Sequence, residues 1–163
     1  MRSACMAAVL LLLLACRDSE DATPPPPGIG GELRVSRAGR EVLAAAARGS
    51  SCPDDTTLAL VAVGPEWAVA LALRATWPAA AADTFVVTGS AGGLGTARAA
   101  LRPILNGVGM ALVGMRGVVR LGPGRTASGT FEFTAPTGPG SRDSVHVTGS
   151  FTGVPVLADP CAR

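Results

Sequence analysis

From Glu32 onward, short apolar runs alternate with polar or small residues and are separated by turn-forming residues. Thr57 to Val63 (TLALVAV) and Trp67 to Arg74 (WAVALALR) flank Gly64-Pro65-Glu66, which is a hairpin signal. In the second run Trp67, Val69, Leu71 and Leu73 share one face, and Ala68, Ala70 and Ala72 share the other. Large and small residues at period two suit a pleated strand whose two faces pack differently. Thr84 to Thr88, Gly107 to Val113 and Gly117 to Leu121 read as further strands, and Gly122-Pro123-Gly124-Arg125 as a turn. Thr130 to Thr134 (TFEFT) puts both phenylalanines on one face, and Ser144 to Thr148 (SVHVT) does the same with two valines. The pattern predicts an all-β domain: nine or ten short antiparallel strands in a sandwich or flattened barrel.

Two segments do not declare themselves. Arg40 to Arg48 and Thr96 to Leu105 are rich in alanine, the strongest helix former, so either a strand or a helix fits them. Helices at both would move the fold class toward α+β.

The amino terminus follows a different pattern. Residues 1–16 read MRSACMAAVLLLLLAC: a basic start at Arg2, an apolar run from Ala7 to Leu14, then Ala15-Cys16. The run is about half the roughly 20 residues that span a bilayer, and its order is that of a secretory signal. Leu13-Leu14-Ala15-Cys16 resembles the lipobox of bacterial lipoprotein precursors. The resemblance implies that residues 1–15 are a cleaved signal peptide and that Cys16 is the lipidation site. Its sulfur would take a diacylglyceryl group, and a fatty acid such as palmitate would often follow on the new amino group. A thiolate is the nucleophile such chemistry needs, and two or more acyl chains give stable anchoring. The mature chain would hold 163 − 15 = 148 residues.

Residues 16–31 then read as a linker. Arg17-Asp18-Ser19-Glu20-Asp21 is charged and solvated, and it also resembles the surface-export signal of some bacterial lipoproteins. Pro24 to Pro27 make a stiff extended spacer and Gly28 to Gly31 end it. The third region, 32–163, is the β-domain. Ser128 to Ala135 (SGTFEFTA), Val147 to Phe151 (VTGSF) and the strand Gly117 to Leu121 are similar to the end of a group of small bacterial lipoproteins with an all-β domain. That similarity implies fold and location only. The place expected is the bacterial cell envelope, with lipid in the outer membrane and the domain facing the periplasm or the surface.

Composition narrows the chemistry. All 14 basic residues are arginine; lysine and tyrosine are absent, and His146 and Asn106 are single. A net charge of +2 gives no reason to expect a nucleic-acid partner. Of four cysteines, Cys5 leaves with the signal and Cys16 carries lipid, so Cys52 and Cys161 remain as a pairable two. In an exported domain they most simply form one disulfide. A metal site from Cys52, Asp54, Asp55 and His146 lacks zinc-ligand spacing, so no metal is expected.

Four other motifs invite function. Thr88 to Gly95 (TGSAGGLG) resembles the nucleotide-binding turn of short-chain dehydrogenases. Only 163 − 95 = 68 residues follow it, and the tyrosine and lysine of that family are missing, so no cofactor is expected. His146, near Asp143 and Ser144, is the one candidate general base, but no nucleophile elbow accompanies it. Its plainer role is a solvent-facing strand residue paired with Glu132 across the sheet. Glu66 and Glu132 are the carboxylates a glycosidase would need, and nothing in the sequence brings them together. Trp67 is in phase with the core residues, whereas Trp77, in an expected loop before Pro78, is the candidate surface aromatic for a sugar or an apolar partner. The leading expectation is therefore a lipid-anchored, non-catalytic domain with a binding or structural role. Its partners would be the membrane, through Cys16, and an envelope protein or glycan. The alternatives are a small envelope hydrolase and a carbohydrate-binding module.

Overall fold

A computed structural model describes residues 30–52, 56–90, 92–104 and 110–158. The signal and lipidation residues, most of the linker, Asp54, Asp55, Cys161 and the first part of the expected strand Gly107 to Val113 lie outside them. The described chain is all-β, with no helix. Its strands are β1 (Glu32–Arg37), β2 (Arg40–Cys52), β3 (Thr57–Val63), β4 (Trp67–Arg74), β5 (Asp83–Thr88), β6 (Thr96–Pro103), β7 (Leu112–Val113), β8 (Arg116–Leu121), β9 (Thr126–Pro136) and β10 (Ser144–Ala158).

They form one sheet in the order β4-β3-β2-β1-β10-β9-β8-β5-β6-β7, and β4 also pairs with β6 along most of its length. That last pairing closes the sheet on itself. A barrel of nine strands results, so the choice between sandwich and barrel falls to the barrel. Closure removes the long unpaired edges that an open sheet would present. β7 fills the space between β6 and β9. It pairs with Ala100 and Leu101, and beyond it Gly114 N donates to Ala99 O and Met115 N to Thr134 O.

Both alanine-rich segments are strands, because each lies between partners that claim its backbone. β2 runs between β1 and β3, and β6 runs between β4 on one side and β5 and β7 on the other. Pairing of this kind overrides an intrinsic preference worth a few tenths of a kcal/mol per residue. One expectation needs correction: the sheet is not wholly antiparallel. β5 and β6 run parallel at Val86–Thr96 and Val87–Ala97. β10 outlasts β1, which begins at Glu32 opposite Thr152, and then runs parallel to β2 from Val156 to Ala158.

The interior is continuous. Leu33, Val35, Leu58, Leu60, Val69, Leu71, Leu73, Leu101 and Leu121 point inward with Phe85, Phe131, Phe133 and Phe151, all at most 2% exposed. Fully burying one such side chain stabilises by about 1.5–3 kcal/mol. The β1–β2 turn is a two-residue loop, Ala38-Gly39, with both φ angles in the left-handed region (51° and 79°). This matches the twist of the flanking strands.

Candidate functional site

The closed barrel places function on its outer surface and at its mouths. Along β9 the inward residues are Ala127, Phe131, Phe133 and Ala135, so Glu132 points outward; along β10 Val145 and Val147 point inward, so His146 points outward. His146 is register-paired with Thr134, and Glu132 is its diagonal neighbour, with His146 Nε2 3.8 Å from Glu132 Oε2. Glu132 also faces Arg120 of β8 at 3.6 Å. The three side chains are 45–58% exposed. On β1, Arg34 hydrogen-bonds Glu32 at 2.8 Å and lies 3.6 Å from Glu41. The bond to Glu32, then the charges of Glu32 and Glu41, raise the pKa of the Arg34 guanidinium above its ordinary value.

This side of the barrel, β8-β9-β10-β1, carries the surface ion pairs, with Arg116 exposed and without one among the described residues. The residues of a hydrolase do not converge there. Ser144 stands two residues from His146 on the same outer face, and Asp143 belongs to the β9–β10 turn, where its carbonyl accepts from Thr137 N. Glu66 sits in the β3–β4 turn, with three strands between it and β9 in either direction round the barrel. The pair required for glycosidic hydrolysis is not assembled.

The glycine-rich stretch after β5 leads into a strand, β6, rather than a helix. No helix amino terminus exists there to hold a pyrophosphate. Its hydroxyls serve the loop instead: Thr88 Oγ1 donates to Ser90 O and Thr96 Oγ1 to Gly93 O. No group of three or more His, Cys, Asp or Glu side chains suitable for a metal occurs among the described residues.

Both tryptophans are partly buried against the core, so Trp77 presents only part of its ring to solvent. Trp67 lies at one mouth of the barrel. Above it, 5.7 Å from the ring centroid, is the guanidinium carbon of Arg37, the last residue of β1, whose Nε is buried with no hydrogen-bond partner among the described residues. The opposite mouth holds a depression of about 320 Å³ lined by Arg74, Ala75, Asp83, Phe85, Leu94 and Leu121 among others.

The second outer side of the barrel, β2-β3-β4-β6, differs in kind. Its outward residues are mostly alanine and valine, with Val61 43% and Val63 62% exposed. A groove of about 380 Å³ runs along one margin, lined by Arg48, Ser50, Ala59, Val61 and Leu157, the last 72% exposed. The alternation of alanines in Trp67 to Arg74 was visible in the sequence. That three more strands align small residues beside it follows only from the register.

Cys52 ends β2, and Ala158, the last residue of β10, is register-paired with Ser51 beside it. Comparison with known proteins yields no match: no family model, no curated protein and no solved structure is similar enough to carry an argument.

Proposed function

We propose that this protein is a lipid-anchored lipoprotein of a bacterial cell envelope, carrying a non-catalytic β-barrel with a binding or structural role. The observation that carries the reading is Leu13-Leu14-Ala15-Cys16, placed after an apolar run too short to span a bilayer. From Cys16 to the start of β1 at Glu32 the chain reaches about 50 Å when extended, so an anchor at Cys16 would keep the barrel within that distance of the membrane. The prolines at 24–27 favour the extended form.

An oxidising compartment fits the cysteines that remain. The parallel pairing of β10 with β2 carries the chain toward Cys52, and Cys161 follows Ala158 by three residues. A Cys52–Cys161 disulfide would tie the end of the last strand to β2. No observation favours a hydrolase or a sugar-binding module. The single imidazole lies on an open face with its Nε2 3.8 Å from Glu132, and both tryptophans are partly buried against the core.

The test is metabolic labelling with a radioactive fatty acid in a bacterial host. The wild-type chain is expected to incorporate label and to sediment with membranes, and Cys16→Ala to do neither. An unlabelled wild-type chain, or label retained in Cys16→Ala, overturns the reading.

A further inference from the structure

We infer that the outer side formed by β2, β3, β4 and β6 is a docking surface for an anionic phospholipid membrane. The inference deepens the lipoprotein reading and rests on it. Its starting point is how the register aligns outward residues. Arg48, Val61, Ala70 and Ala100 stand side by side across the four strands. In the row on one side Val63 and Ala68 lead to Arg102. In the row on the other, Ser50, Ala59 and Ala72 lead to Arg98.

Each row thus joins small apolar side chains to one arginine. Arg48, Arg98 and Arg102 are exposed and form no ion pair or hydrogen bond among the described residues; on the far side Arg34 and Arg120 are paired with carboxylates and Arg116 is not. No outward position in the three rows is acidic; Glu66 lies beyond them in the β3–β4 turn. Uncompensated cations around a low, apolar surface match a layer that is apolar below and anionic above. Guanidinium groups bond phosphate oxygens in a bidentate manner. Alanine and valine are too short to enter the acyl region, so the barrel would lie at headgroup depth.

Charge complementarity selects this occupant over a second copy of the chain. Two such faces brought together would set three arginines against three. It also suits a tethered domain, because a short tether holds the face at high effective concentration near the headgroups. Each arginine near an anionic surface contributes roughly fivefold to partitioning, so three contribute about a hundredfold at low salt.

The experiment uses the full lipidated chain in vesicles, with arginine modification by phenylglyoxal mapped by mass spectrometry. Vesicles of phosphatidylcholine are compared with vesicles that also contain about 30% phosphatidylglycerol, whose surface potential is negative. Modification of Arg48, Arg98 and Arg102 is expected to fall at least fivefold on the anionic vesicles and to recover in high salt, while Arg116 and Arg125 are unchanged. The variant Arg98→Glu/Arg102→Glu is expected to take up fatty acid normally, to keep its circular dichroism, and to lose the protection of Arg48. Equal modification on both vesicles overturns the proposal, as does protection spread over all arginines. Protection on both compositions together with cross-linked dimers overturns it in favour of a second copy. Fatty-acid uptake reports the anchor separately, so a failed footprint with normal uptake leaves the lipoprotein reading intact.

Discussion

The Phe131 ring lies over Gly149, its register partner on the neighbouring strand, and fills the space a side chain there would occupy. The relationship is reciprocal. Phe151 on β10 is register-paired with Gly129 on β9, and its ring covers that glycine in turn. Two copies of Gly-x-Phe, at Gly129 to Phe131 and Gly149 to Phe151, are therefore one antiparallel device. Each phenylalanine packs over the other's glycine, which pins the β9–β10 register. A slip of either strand by one residue would turn that strand's ring to solvent and leave the other ring without its glycine.

Gly149→Val should therefore destabilise the barrel by about 1–3 kcal/mol, because the new side chain meets both the Phe131 ring and the Arg34 carbonyl oxygen. Phe131→Ala should cost about 3–5 kcal/mol through the cavity it leaves. Urea unfolding followed by circular dichroism measures both. A Gly149→Val protein as stable as wild type would show that Phe131 does not need that space.

Arg37 over Trp67 leads to a less usual expectation. The cation–π contact contributes about 0.5–2 kcal/mol, yet the buried Nε has no partner among the described residues and desolvating it is unfavourable. Arg37→Met keeps the stem's packing against the ring and removes the unsatisfied group. Its stability is expected to lie within about 1 kcal/mol of wild type, on either side. Trp67→Ala, which removes a large partly buried ring and exposes the guanidinium's other face, should cost about 3 kcal/mol or more. Thermal unfolding of the two variants separates them; a large loss in Arg37→Met would mean that the guanidinium has a partner in the folded protein.

Glu132 is shared between Arg120 and His146, and all three are about half exposed. Exposed pairs of this geometry are worth at most about 1 kcal/mol. Glu132→Gln should change stability by less than about 1 kcal/mol, and a double-mutant cycle with Arg120→Ala should give a coupling of a few tenths. A coupling of several kcal/mol would show a far less solvated cluster than the strand faces imply.

Much of this architecture was legible because inward and outward residues differ in size. β3, β4, β5, β8, β9 and the first part of β10 each show a period of two that matches their burial. β2 and β6 were ambiguous for the opposite reason. Alanine serves both faces, so Ala44 to Ala47 and Ala97 to Ala100 carry little contrast, and partners distant in sequence decide their conformation. Closure through β4 and β6, and the parallel meeting of β10 with β2, depend on strand lengths and neighbours that no local pattern encodes. The same limit applies to the outer surface. Ala68, Ala70 and Ala72 were seen to share a face, but the arginines that border it come from β2 and β6 and join it only through register.

The meeting of β10 with β2 also bears on the last prediction. Ala158 opposite Ser51 brings the end of the last strand beside Cys52. A disulfide from there to Cys161 would close a loop of 161 − 52 = 109 residues. In the chain-entropy account such a loop restrains the unfolded chain by about 4–5 kcal/mol. Strand pairing already brings Ala158 to the end of β2, and Cys161 follows it by three residues. Reduction with dithiothreitol should thus lower the urea midpoint strongly while leaving the far-ultraviolet spectrum of the folded protein unchanged. Cys52→Ser should show the same midpoint in the presence and absence of reductant. If the wild-type midpoint does not respond to reductant, the two cysteines are not joined, and the end of β10 is held by its hydrogen bonds to β2 alone.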